Sequence, residues 1–244
     1  WAVFTVCTMP AASVSSRARK LFALTTPVCA PASLPPVTAM AARLGFGQPL
    51  RLDGGLLPPD YRWGDWDALS ASASQLDPVH SRHELRQMAI GLRMQTTPLQ
   101  MALVAASVGE GRSVTPRLLL ALDGRDAASG QGAPLGVRLD RVRAGMKGVI
   151  DYGTAAGAFR SPAFAALRPG LYGKTGTAPV GNDDLATVWF MGYLEPGSLP
   201  GQTRRLAFAV FVSHSALTGG GHAAPVVAAL LASMAGQSLE KRHK

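Results

Sequence analysis

Four consecutive residues, Lys174-Thr175-Gly176-Thr177, bring an ammonium, two hydroxyls and a position without a side chain together. Such a set can serve two unrelated chemistries. In a phosphate loop the backbone N–H groups cradle a nucleotide, the lysine reaches its outer phosphates and the hydroxyl binds magnesium. On an exposed strand the lysine and hydroxyls grip a substrate, and the glycine lets another backbone come close. The phosphate-loop motif would place its first glycine at position 168, which is Arg168, and would open a helix after Thr175. The chain continues instead with "GTAPVGNDD", full of helix breakers, and then an apolar strand pattern. The strand reading therefore fits better, with Leu171 to Ala178 as an edge strand. On the tripeptide alone, a surface hairpin that happens to spell Lys-Thr-Gly competes with it.

Little else in the chain points to chemistry. The two cysteines, Cys7 and Cys29, have no metal-ligand partners near them and are too few for a disulfide framework. No metal or cofactor is expected. The net charge of +9 reflects 24 scattered Lys and Arg residues against 15 Asp and Glu, with no basic run longer than the terminal "KRHK". Without a zinc-finger spacing or an aromatic-studded basic stripe, nucleic-acid binding is not supported. No stretch reaches the ~18 apolar residues of a membrane span. The opening "WAVFTVCTMPAA" is apolar but lacks an initial Met and a basic flank, so it is a poor signal peptide. A start at Trp1 suggests a piece of a longer chain.

The elements around the four residues can be read from period and punctuation. Residues 1–39 contain "TTPVCAPASLPP" and hold no stable period, so an irregular segment or linker is expected there. Order is expected from about Met40, as a short helix running into the turn "LGFG". Residues 51–81 read as a long surface loop anchored by Trp63 and Trp66. Thr97 and Pro98 are an N-cap and a first-turn proline for a helix ending at Gly109 or Gly111. A second helix is expected over Val137–Ile150, with Val137, Leu139, Val142, Met146, Val149 and Ile150 as its apolar stripe. "TVWFMGYLE" and "LAFAVFVSH" read as strands, the second apolar on both faces and so expected to lie under helices on both sides. "HAAPVVAALLASMAG" reads as a buried closing helix, and residues 238–244 as a polar tail. The fold class is α/β (α+β), an antiparallel sheet flanked by helices.

Several stretches, in order, resemble the transpeptidase domain of penicillin-binding proteins. They are "LGFG", "IGLRMQTTPLQMALVAASVGEGRSVTPRL", "GMKGVIDYGTA", "GKTGTA", "VWFMGYL" and "GHAAPVV". Lys174-Thr175-Gly176 matches the Lys-Thr-Gly box that this family shares with serine β-lactamases. β-Lactamases lack the middle stretch, so the cell-wall enzymes are the better match. The resemblance runs over residues 40–237, which would then form a partial transpeptidase domain. It implies a D,D-transpeptidase that cross-links peptidoglycan D-Ala-D-Ala stem peptides through an acyl-serine and is trapped by β-lactams. Its parent would be membrane-anchored and face outward from the bacterial cytoplasmic membrane, in the periplasm, among cell-wall synthesis partners. By resemblance, Lys174 supplies positive charge at the acyl-transfer site. The Thr175 and Thr177 hydroxyls bind the substrate carboxylate, the Thr177 N–H is one arm of an oxyanion hole, and Gly176 keeps the strand approachable.

The family's nucleophile and base lie in a Ser-x-x-Lys box, helped by Ser-x-Asn. Both should precede Leu44, and neither does. Ser16 has its lysine one place late, at Lys20, and Asn182 is the only asparagine. The one literal match, Ser238 to Lys241, falls in the tail and out of order. Ser70, Ser72 and Ser74 have no lysine at helical spacing. The nucleophile is therefore expected upstream of Trp1, or lost where residues 1–39 are read in a shifted frame. The chain by itself is not expected to be acylated by penicillin. The alternatives are a non-catalytic module that binds peptides along the Lys174–Ala178 edge and, less favoured, a nucleotide-binding enzyme.

Overall fold

The structure is a computed structural model that describes residues 2–8, 34–58, 70–71, 73–128, 130–180 and 184–240. Trp63, Trp66, Cys29, Ser72 and the Ser16–Lys20 near miss lie outside the described residues. The chain divides into two compact units, Val28–Val137 and a second made of Trp1–Pro27 with Arg138–Lys244.

Among its described residues the first unit has the helices α1 (Leu34–Arg43), α2 (Arg82–Ala89) and α3 (Pro98–Glu110), with short paired strands between and after them. Helix α1 starts six residues earlier than the expected Met40. Its Pro35 and Pro36 sit in the first turn, where a missing N–H costs no hydrogen bond. Helix α3 begins and ends as its sequence predicts. The Thr97 hydroxyl accepts from the Gln100 N–H, and Gly111 closes the helix at φ +75°. The fully buried Gln100 then donates from Nε2 to the Leu44 carbonyl at 2.6 Å. That bond pins the "LGFG" turn, whose Gly45 and Gly47 both have positive φ. Ser74 is buried and hydrogen-bonded to Thr96 and Thr97, which gives it a structural duty.

The second unit is built on a four-stranded sheet. The strand order is Ala2–Thr8, Leu206–Ser215, Ala186–Leu194, Leu171–Pro179. The last three pair antiparallel, as expected. Ala2–Thr8 corrects the expectation of an irregular start, because it runs parallel to Leu206–Ser215. Among its described residues this unit carries the α-helices α4 (Asp140–Asp151) and α5 (Ala224–Glu240). Helix α4 starts three residues later than its apolar period suggests. Only Met146, Gly148 and Ile150 of it are buried, while Val142 is nearly half exposed. The buried positions all fall in the carboxy-terminal half of the helix. A side chain at Gly173 would run into the Phe190 ring and lie 3.3 Å from Ile150 Cδ1. Phe159, Phe190, Phe208, Val210, Val227 and Leu231 form the centre of the core. Leu206–Val210 is buried at every position, in keeping with a strand apolar on both faces. Helix α5 runs on through Glu240, so the expected polar tail begins as helix.

Candidate functional site

The Lys-Thr-Gly residues lie on the strand Leu171–Pro179, an outer strand of the sheet with Ala186–Leu194 as its neighbour. The chain leaves it for another strand and not for a helix, so the phosphate loop is excluded. Strand alternation sends Leu171 and Gly173 into the core, and both are buried. Thr175 and Thr177 share their side, half-buried and exposed respectively, beyond the end of the core. Lys174 and Gly176 take the opposite side, in register with Met191 and Trp189.

Each threonine is held by a group distant in sequence. The Thr175 and Thr154 hydroxyls are 2.7 Å apart. The Gly219 N–H donates to the Thr177 hydroxyl at 3.2 Å. Lys174 folds along its own strand and donates from Nζ to the Thr175 carbonyl at 2.5 Å. Although its side chain is exposed, nearby protein displaces part of its hydration and holds its ammonium below the usual lysine range.

The close approach that demands glycine falls mainly outside the motif. A Cβ on Gly176 would lie 3.3 Å from Trp189 Cβ, which is tight but not prohibitive. A Cβ on Gly219 would lie 2.5 Å from both the Gly176 and Trp189 carbonyls, and one on Gly220 would collide with the Thr154 carbonyl. Three segments therefore interlock here: the hook after α4, the Lys-Thr-Gly strand, and the turn Gly219–Ala223 before α5. Thr218 caps that turn by accepting from the Gly221 N–H, and His222 ties it to Ser215 at 2.9 Å. A serine beside a histidine is the arrangement of an activated nucleophile. Ser215, however, is buried, and its oxygen also accepts from the Leu217 N–H, so it braces the turn.

Sequence reading placed Lys174, Thr175, Gly176 and Thr177 on one edge strand, and there they are. It missed Thr154 and Gly219. Both lie in or beside stretches that carry the resemblance, "DYGTA" and the residues just before "GHAAPVV", yet nothing in their types announces a partner. Near the other end of the edge strand, Tyr193 stacks on Tyr172 with centroids 4.8 Å apart. Burial, with Glu195 nearby, pushes its hydroxyl up to about 12, so it stays neutral at ordinary pH. Among the described residues no group of His, Cys, Asp and Glu could hold a metal ion. No described helix is long and apolar enough to cross a membrane.

A family model described as the penicillin binding protein transpeptidase domain matches residues 37–232. No curated protein matches the chain. Among solved structures, a peptidoglycan glycosyltransferase from Burkholderia ambifaria is similar at TM-score 0.54 and 20% identity, over 84% of this chain and 56% of its own. The D,D-transpeptidase domain of a peptidoglycan glycosyltransferase from Eggerthella lenta is similar at TM-score 0.52 and 21% identity, over 83% and 48%. A chain solved in work on how a peptidoglycan synthase complex coordinates polymerization and crosslinking is similar at TM-score 0.53 and 22% identity, over 64% and 26%. At these identities the likeness establishes the mixed α/β fold. The chain spans from about a quarter to just over half of these structures.

Proposed function

The chain belongs to the penicillin-binding protein transpeptidase domain family, and from that premise we propose that it is the carboxy-terminal part of a D,D-transpeptidase. The substrate is the D-Ala-D-Ala end of a peptidoglycan stem peptide, and β-lactams occupy the same place. Lys174 supplies the local positive charge. The Thr175 and Thr177 hydroxyls bind the carboxylate, the Thr177 N–H serves the oxyanion, and Gly176 leaves the strand approachable. The single observation that carries this is two hydroxyls on one side of an outer strand, each with one side-chain hydrogen bond, and a lysine beside them in sequence. The sequence holds no Ser-x-x-Lys before Leu44 and no Ser-x-Asn. Recognition, and not acylation, is therefore the step assigned to this chain. In its parent the domain works outside the cytoplasmic membrane, tethered to it, among the proteins that build the cell wall.

The same missing boxes favour a second reading, a non-catalytic module that binds extended peptides along the edge. The purified chain should be incubated with a reporter penicillin, then examined both by equilibrium binding and, after denaturation, by mass. The expected result is reversible binding displaced by N-acetyl-D-Ala-D-Ala, weakened in Lys174→Ala, with no added mass. A penicilloyl adduct would overturn the assignment of recognition alone. Equal displacement by an unrelated L-peptide would favour the second reading over the first.

A further inference from the structure

A threonine hydroxyl has one proton to donate and two lone pairs that accept, whereas a carboxylate only accepts. For Thr175 and Thr177 to bind a carboxylate, both protons must point outward. The hydrogen-bond partner of each hydroxyl decides whether that happens. At Thr177 the partner is a backbone N–H, which can only donate, so the bond from Gly219 feeds the hydroxyl oxygen and leaves its proton unspent. At Thr175 the partner is the Thr154 hydroxyl, and either oxygen could be the donor across 2.7 Å. With an anion in front, only one arrangement satisfies every group. Thr154 donates to Thr175, and Thr175 donates onward. Chains of this kind polarise one another, and the outer bond gains from the ligand's charge.

Thr154 is also fixed in place. The chain hooks back after α4, where the Tyr152 and Gly153 N–H groups bond to the Gly148 carbonyl and the Ala155 N–H to the Val149 carbonyl. Gly220 packs against the Thr154 carbonyl with no room for a side chain between them. The donor at Gly219 is fixed by the Thr218 cap and the His222 N–H bond to the Thr218 carbonyl.

We propose that Thr154 is a positioning residue that makes the Thr175 hydroxyl an outward donor, and that the Gly219 N–H does the same for Thr177. The edge then prefers a carboxylate over the neutral amide of the same peptide. This rests on the carboxylate-binding role proposed for the two threonines. It extends that role to two groups outside the Lys-Thr-Gly box.

The test titrates the whole isotope-labelled chain with N-acetyl-D-Ala-D-Ala and with its C-terminal amide, followed by NMR. The acid should bind roughly tenfold more tightly than the amide. Thr154→Val should remove most of that preference without weakening the amide, and Thr154→Ser should keep it. On a Thr175→Val background, Thr154→Val should cost nothing further, an outcome that a merely structural role would not give. If the wild type prefers the acid and Thr154→Val prefers it equally, the positioning role is wrong while the binding reading stands. If the wild type does not prefer the acid, the binding reading fails and this inference fails with it. A separate measurement needs no ligand and no change at Thr154. Thr177→Val should speed hydrogen exchange at the Gly219 amide, and unchanged exchange would overturn the Thr177 half.

Discussion

Ser107 in one unit and the paired threonines of the edge strand in the other use the hydroxyl group in opposite ways. In Val28–Val137, the Ser107 hydroxyl donates to the Leu103 carbonyl and accepts from the Val114 N–H, and it is buried. Its donor is spent, so it joins a helix to a strand and offers nothing to a ligand. In the sheet unit, Thr175 and Thr177 each make one side-chain bond, Thr175 half-buried and Thr177 exposed. The chemical group is nearly the same. Unused hydrogen-bonding capacity at an accessible place is what separates a functional hydroxyl from a structural one, and motif spelling does not report it.

The largest effect is expected at the turn that feeds Thr177. Gly219→Val would drive atoms into two backbone carbonyls that cannot move without parting the strands. A loss of about 3 kcal/mol or outright failure to fold is expected in denaturant unfolding. A pair of substitutions sharpens the contrast. Ser107→Ala should cost about 1–3 kcal/mol by stranding a buried N–H, and should leave binding of N-acetyl-D-Ala-D-Ala unchanged. Thr177→Val also leaves a buried N–H, that of Gly219, without its partner, so a similar loss of stability is expected, but with the acid bound roughly tenfold more weakly. Equal effects of the two on binding would erase the distinction.

The smallest effect expected is on pH. Partial loss of hydration disfavours the charged form of Lys174 in the folded chain, so its proton leaves at a lower pH than from an ordinary lysine. Acid binding should be constant below that depressed value and weaken as pH rises through it. The weakening should begin before ordinary lysines titrate and disappear in Lys174→Met. A profile identical in wild type and Lys174→Met would remove the lysine from the site.

Where the sequence was legible, local physics set the structure. Thr97, Pro98 and Gly111 bound α3 because capping is decided within a few residues. The strands Ala186–Leu194 and Leu206–Ser215 arise from short β-branched and aromatic runs. Prolines misled twice. Pro35 and Pro36 read as breakers although a first turn accepts them. The Pro- and Ala-rich stretch after Thr8 also hid a strand whose partner is at Leu206–Ser215, on the far side of the sequence. At the site, Lys174 through Thr177 could be named from their own types. Thr154 and Gly219 could not, since their bonds to the strand close gaps of 21 and 42 residues. Neither residue differs in type from the many other threonines and glycines of the chain's loops.

The interlocking of three segments limits how far the site can travel. A peptide copied from Leu171–Pro179, or the hairpin Leu171–Leu194 spliced onto a foreign sheet, would carry the lysine and both threonines. It would leave behind the two donors that aim them. The hydroxyls of such a transplant would turn to water or to their own backbone and lose any bias toward an anion. A minimal portable version has to include the hook at Gly153–Ala155 and the turn at Gly219–Ala223, and with them most of the sheet unit.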